Sequence, residues 1–106
     1  MKIISREHLK NKIDRGDNFK LVMMMHQWAY DHMHIPGSLH FDNPYEAMAQ
    51  LGPDDEIVVY GSTKWCHKSI CAYLALRSQG FNKLYLYSGG LEEWLNAHYP
   101  LEGDLV

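Results

Sequence analysis

Residues Glu56–Ser69 read EIVVYGSTKWCHKS. Ile57 to Tyr60 is β-branched and aromatic, with little polar alternation. That pattern fits a strand buried on both faces, as in a parallel sheet covered by helices. A polar loop follows from Gly61 to Lys68, and His67 to Gln79 reads as a helix. Ile70, Cys71, Leu74 and Ala75 mark its apolar stripe, and Gly80 is its expected C-cap. A loop at this place lies beyond the carboxyl end of a strand, where α/β folds hold ligands. It leads into a helix N-terminus, which favours anions.

The rest of the chain repeats the alternation. Ile3-Ile4 suits a short strand, and Ser5 suits the N-cap of a helix running to about Ile13. Arg15-Gly16-Asp17-Asn18 is a turn, and Phe19 to Met25 (FKLVMMM) is a nearly all-apolar strand. Trp28 to His32 forms a short helix, and Ile35-Pro36-Gly37 breaks the chain. Ser38 to Phe41 is a short strand. Asn43-Pro44 opens a helix from Tyr45 to Gln50. Lys83 to Tyr87 is a strand, Gly89-Gly90 a turn and Leu91 to Ala97 a helix. Strands alternating with helices imply one α/β domain over residues 1–106, with a central, mainly parallel sheet flanked by helices.

Composition narrows the function classes. The chain has 106 residues, 46% hydrophobic and 22% charged, with a formal net charge of -3. This is the balance of an ordinary globular domain. A net negative chain does not suit nucleic acid, whose phosphates need clustered Lys and Arg. No segment has the length of apolar residues that a membrane span or signal peptide requires. Two cysteines, Cys66 and Cys71, make no disulfide framework. These features lead to the expectation of a reduced, cytoplasmic protein.

Three separated segments carry a family resemblance. LVMMMHQWAYDHMHIPGSLHF contains His34-Ile35-Pro36-Gly37, EIVVY precedes the loop, and LYSGGLEEWLNAHYPLEG contains Ser88-Gly89-Gly90-Leu91-Glu92-Glu93-Trp94. Together they resemble the rhodanese homology domain, in order and over nearly the whole chain. The resemblance implies a rhodanese-like three-layer α/β fold. It also implies a cysteine at the first loop position, whose thiolate accepts a sulfane sulfur and becomes a persulfide held by loop amides. Here that position is Gly61, which has no nucleophile. The family's Asp and Arg near the end of the preceding strand fall at Met23 and Met25. Its glycine before the histidine falls at Met33. The arginine usual near the loop's end is replaced by His67 and Lys68, and the loop looks about two residues longer.

These departures lead to the expectation of a catalytically inactive rhodanese-like domain that binds an anion or a protein and regulates. Gly61, Ser62, Thr63, Lys64, Trp65, His67, Lys68 and Ser69 form the candidate loop. Gly61 allows close backbone approach, Ser62, Thr63 and Ser69 offer hydroxyls, and Lys64 and Lys68 offer charge. The alternative is a thiosulfate or persulfide sulfurtransferase with Cys66 as a displaced sulfur acceptor. A helix N-terminus and nearby cations favour a thiolate there. The competing reading for Cys66 is an inert sulfur packed inward, and Cys71 is expected in the core. Candidate partners are a small anion, a sulfur donor such as thiosulfate, or a protein. No cofactor is expected. Met23, Met24 and Met25 cannot converge on one metal ion, because adjacent strand residues face opposite ways. His34 suits a structural bond to a loop carbonyl. Trp28 and Trp94 are expected to pack helices on the sheet, and Trp65 to be exposed at the loop tip. A phosphatase is disfavoured, since neither a leading Cys nor a closing Arg is present.

Overall fold

The short apolar runs become four parallel strands. The computed structural model describes residues 1–106. In chain order the elements are α1 (Arg6–Arg15), β1 (Lys20–Met23), α2 (Gln27–His32), β2 (Leu39–His40), α3 (Pro44–Gln50), β3 (Ile57–Tyr60), α4 (His67–Ser78), β4 (Leu84–Tyr87) and α5 (Gly90–Asn96). The sheet order is β2-β1-β3-β4. Val22 pairs with Leu39 on one side and Val59 on the other, and Val59 pairs with Leu86. Residues Lys2 to Ile4 add a last rung, with the Ile4 amide donating to the Leu86 carbonyl at 3.0 Å and the Leu86 amide to Lys2 at 2.8 Å. The free edge of β4 is thereby covered.

Strand alternation divides the core into two layers. Ile57 and Val59 face a cluster with Met24, Tyr73, Leu76 and Leu86. Val58 and Tyr60 face the other way, with Leu9, Met23, Ile35, Tyr87 and Trp94. Met23 and Met24 thus lie on opposite sides of the sheet, as the two-residue period requires. Each fully buried aliphatic side chain contributes about 1.5–3 kcal/mol. Helix ends follow local chemistry. Ser5 accepts from the His8 amide at 3.1 Å, and Asn43 accepts from the Glu46 amide at 3.0 Å. Gly80, one residue past the Gln79 cap, takes φ +90°.

Two packing expectations change. Helix α4 buries Ser69, Ala72, Tyr73 and Leu76, while Cys71 and Leu74 are exposed. The buried face is rotated away from the predicted stripe. Ser69 tolerates burial because its hydroxyl donates locally to the Cys66 carbonyl at 2.8 Å. Trp28 is 63% exposed rather than packed on the sheet, on a helix with no buried residue. Trp94 is buried as expected, its indole N–H donating to the Pro100 carbonyl at 2.8 Å.

Strand order fixes where a site can form. The chain leaves β1 for β2 on one side, then crosses to β3 on the other. The carboxyl ends of β1 and β3 therefore mark the point where the connections diverge, and a crevice forms there in open α/β sheets. The segment 61–66 begins at that point.

Candidate functional site

The loop is Gly61 to Cys66, and Cys66 is the N-cap residue of α4. His67, Lys68 and Ser69 form the first helical turn. Gly61 is buried against the side chain of Cys66. A Cβ placed on Gly61 would overlap Cys66 Sγ, lie 2.5 Å from Cys66 Cβ and lie 3.5 Å from Ser69 Cβ. The thiol therefore fills the volume in which a side chain at position 61 would begin. Cys66 is half-buried and belongs to neither apolar cluster. Its sulfur lies over the loop's first residue and not in the sheet–helix core.

The other loop residues leave most of their amides unused. The amides of Ser62, Thr63, Lys64 and Cys66 reach no protein acceptor, nor do those of His67, Lys68 and Ser69 in the first turn. Free amides are normal at a helix start. Here they continue back through the loop, and such a run favours negative charge. Trp65 differs. Its amide donates to the Ser88 carbonyl at 2.7 Å, its backbone takes φ 54°, and its side chain is 47% exposed. A non-glycine residue rarely adopts this left-handed conformation.

The glycine pair near the C-terminus holds the loop in place. The Leu91 amide donates to the Gly61 carbonyl at 2.9 Å, and the Glu92 amide donates to the Ser62 carbonyl at 2.8 Å. Gly90 has φ +71°, and a Cβ there would lie 2.7 Å from the Thr63 carbonyl oxygen. The amides of Leu91 and Glu92 in α5 thus bind loop carbonyls. Gly89 makes room for Glu93, whose carboxylate accepts from the Tyr87 hydroxyl at 2.9 Å. Burial first, and then the bond to Glu93, push the Tyr87 phenol well above its ordinary range.

Some candidates stand apart from the thiol. The His67 Nε2 lies 3.4 Å from Cys71 Sγ, one turn along α4. His67 is therefore paired with the exposed cysteine rather than with Cys66. Lys64 and Lys68 are exposed and form no ion pair. His34 has a structural role. It stacks on Tyr30 with centroids 3.8 Å apart, and its Nδ1 lies 2.7 Å from the Tyr30 carbonyl. Under the site, the Tyr60 hydroxyl accepts from the Ile35 amide at 3.1 Å and donates to Ser38 Oγ at 2.9 Å. Burial pushes that phenol well above its ordinary value. This network ties the end of β3 to the HIPG segment. The loop's dependence on Ser88, Leu91 and Glu92 was not assigned from the sequence, although the SGGLEEW motif marked the place.

The comparisons agree with this architecture. The rhodanese-like domain of an Anabaena sp. protein superimposes with TM-score 0.88 at 26% identity, over 99% of this chain and 81% of that one. A Bacillus halodurans protein gives TM-score 0.88 at 21% identity, over 98% and 78%. A thiosulfate sulfurtransferase from Pseudomonas aeruginosa gives 0.84 at 18% identity, over 98% of this chain but 20% of that one. No curated protein sequence matches. The family model for the rhodanese-like domain matches residues 5–97. With this match and the four-stranded parallel sheet, the chain belongs to the rhodanese-like domain family.

Proposed function

We propose that this domain is a sulfurtransferase in which Cys66 serves as the sulfur acceptor in place of a residue at position 61. One observation carries the reading: the Cys66 sulfur stands in the volume that a side chain on Gly61 would enter. The thiol is displaced by five residues in sequence yet returns to the loop's first residue in space. The run of unpartnered amides in the same loop and first helical turn supports a bound negative charge.

In the proposed reaction the Cys66 thiolate attacks the outer sulfur of thiosulfate. A new S–S bond forms to Cys66, the original S–S bond breaks, and its electron pair leaves with sulfite. The persulfide anion then gives its outer sulfur to a nucleophile. With cyanide this releases thiocyanate and restores the thiolate. Both steps balance without an added oxidant or reductant. The backbone amides offer donors for the charge on the terminal sulfur.

A second reading, a non-catalytic binding module, is favoured by Gly61, which leaves the first loop position without a nucleophile. The test is sulfur transfer from thiosulfate to cyanide, with intact-mass detection of the adduct. Turnover and an adduct lost in Cys66→Ala but kept in Cys71→Ala support the sulfurtransferase. No adduct on the unaltered protein leaves the binding module as the function.

A further inference from the structure

A cleft of about 340 Å³ opens between the start of α1, the start of α5 and Lys64 of the loop. Arg6, Glu7, Lys64, Tyr87, Ser88 and Glu93 line it. Its volume is at the low end for small-molecule sites, which span about 300–1,000 Å³. The cleft is joined to the loop a second way, because the Ser88 carbonyl accepts from the Trp65 amide at 2.7 Å.

The polar groups of this cleft are unevenly satisfied. Each carboxylate already has a donor. Glu7 Oε1 accepts from Arg6 Nη2 at 2.9 Å, and Glu93 Oε1 accepts from the Tyr87 hydroxyl at 2.9 Å. Several donors have no acceptor. Arg6 Nε is buried without a hydrogen-bond partner, and Lys64 forms no ion pair. The amides of Arg6 and Glu7 open the ten-residue helix α1, so no carbonyl lies four residues back within the helix to receive them. The Ser5 side chain caps the His8 amide instead. A buried N–H without a partner is rare, and it points to an acceptor from outside the chain.

Charge decides which acceptor fits. The lining carries two cations, Arg6 and Lys64, and two carboxylates, Glu7 and Glu93. Their formal charges cancel. A dianion such as sulfate would meet the donors but be repelled by both carboxylates. A carboxylate that carries its own ammonium group satisfies both sets. Its oxygens take the Arg6 and Lys64 donors at the positive end of α1, and its ammonium faces Glu7 or Glu93. Ile3 also lines the cleft and is 45% exposed, which offers an apolar wall to a side chain. We propose that this cleft binds a free α-amino acid with a small apolar side chain. The site goes beyond the sulfurtransferase reading and needs neither thiol.

The test is an amide NMR titration of isotope-labelled protein with L-valine, repeated with acetate, ethylammonium and sulfate. The expected result is saturable shifts from L-valine at the amides of Arg6, Glu7, Ser88 and Gly89, with weaker binding of the three comparison ions. Arg6→Gln and Glu93→Gln are each expected to weaken binding about tenfold or more, since each removes one charged hydrogen-bond partner. Glutamine at position 93 keeps an oxygen for the Tyr87 hydroxyl, and the same spectra show whether each variant is folded. Lys64→Gln, at an exposed position, is expected to cost about threefold. Cys66→Ala is expected to bind L-valine as the unaltered protein does. No saturable shift with L-valine, or shifts confined to other amides, would overturn the site. So would unchanged affinity in folded Arg6→Gln and Glu93→Gln. Acetate or sulfate binding as tightly as L-valine would overturn the choice of an amino acid. Loss of binding in Cys66→Ala would place the ligand at the thiol and overturn the separate cleft.

Discussion

Cys66 Sγ stands over Gly61, in the space where a side chain at position 61 would start. Glycine at the head of the loop and cysteine at the helix cap are therefore one packing unit. The empty side chain of one residue accommodates the full side chain of the other. Substitutions at the two positions must be coupled.

That coupling is measurable. Gly61→Ala is expected to destabilise the domain by about 1–3 kcal/mol through overpacking. In a Cys66→Gly background the same change should cost far less, because the atoms it meets are gone. A denaturation cycle over the four variants reads the coupling directly. An equal cost of Gly61→Ala in both backgrounds would show that the two side chains do not share this volume.

The hold of α5 on the loop gives a second prediction. Gly90 combines φ +71° with a close approach to the Thr63 carbonyl. Gly90→Ala is expected to cost about 1–3 kcal/mol, since alanine is strained there and meets backbone. It should also speed hydrogen exchange at Trp65, Leu91 and Glu92, whose amides fasten the two segments together. Unchanged exchange at these three amides would mean that the loop does not depend on the glycine pair.

Tyr60 predicts an alkaline limit. Its ordinary pKa is 10.0, and burial raises it in the folded domain. Below the ordinary value the phenol is neutral in both folded and unfolded chains. Above it the unfolded chain ionises first, so stability falls as pH rises toward the folded value. Tyr60→Phe should lose about 1 kcal/mol at neutral pH, through the bonds to Ile35 and Ser38. It should also show a shallower loss above about pH 10. Urea denaturation across that range checks the slope. Identical slopes in both proteins would assign the limit to other groups, Tyr87 first among them.

Local patterns made much of the fold legible before any coordinates. Ile57 to Tyr60 is a strand over those same residues, and α4 begins at His67 as expected. A continuous apolar run and an ensuing change of period suffice for that. The face of α4 was harder to place. Cys71 and Leu74 are apolar by type, yet Ser69, Ala72, Tyr73 and Leu76 are the residues buried. Residue type alone does not reveal that Ser69 satisfies its hydroxyl on the Cys66 carbonyl. Trp28 was misplaced for a related reason. Its helix lies over the surface, where the ring meets His32 edge-on at 5.9 Å. The position of the loop followed from strand, loop and helix in sequence. The direction of the Cys66 sulfur did not, because α5, from Leu91 onward, fixes the backbone of Gly61 and Ser62.

The most direct measurement is intact mass after incubation with thiosulfate, on the unaltered protein, Cys66→Ala and Cys71→Ala, each then treated with cyanide. The account predicts one added sulfur atom on the unaltered protein and on Cys71→Ala, removed by cyanide as thiocyanate, and none on Cys66→Ala. An adduct that persists in Cys66→Ala, or no adduct on the unaltered protein, would contradict Cys66 as the sulfur acceptor.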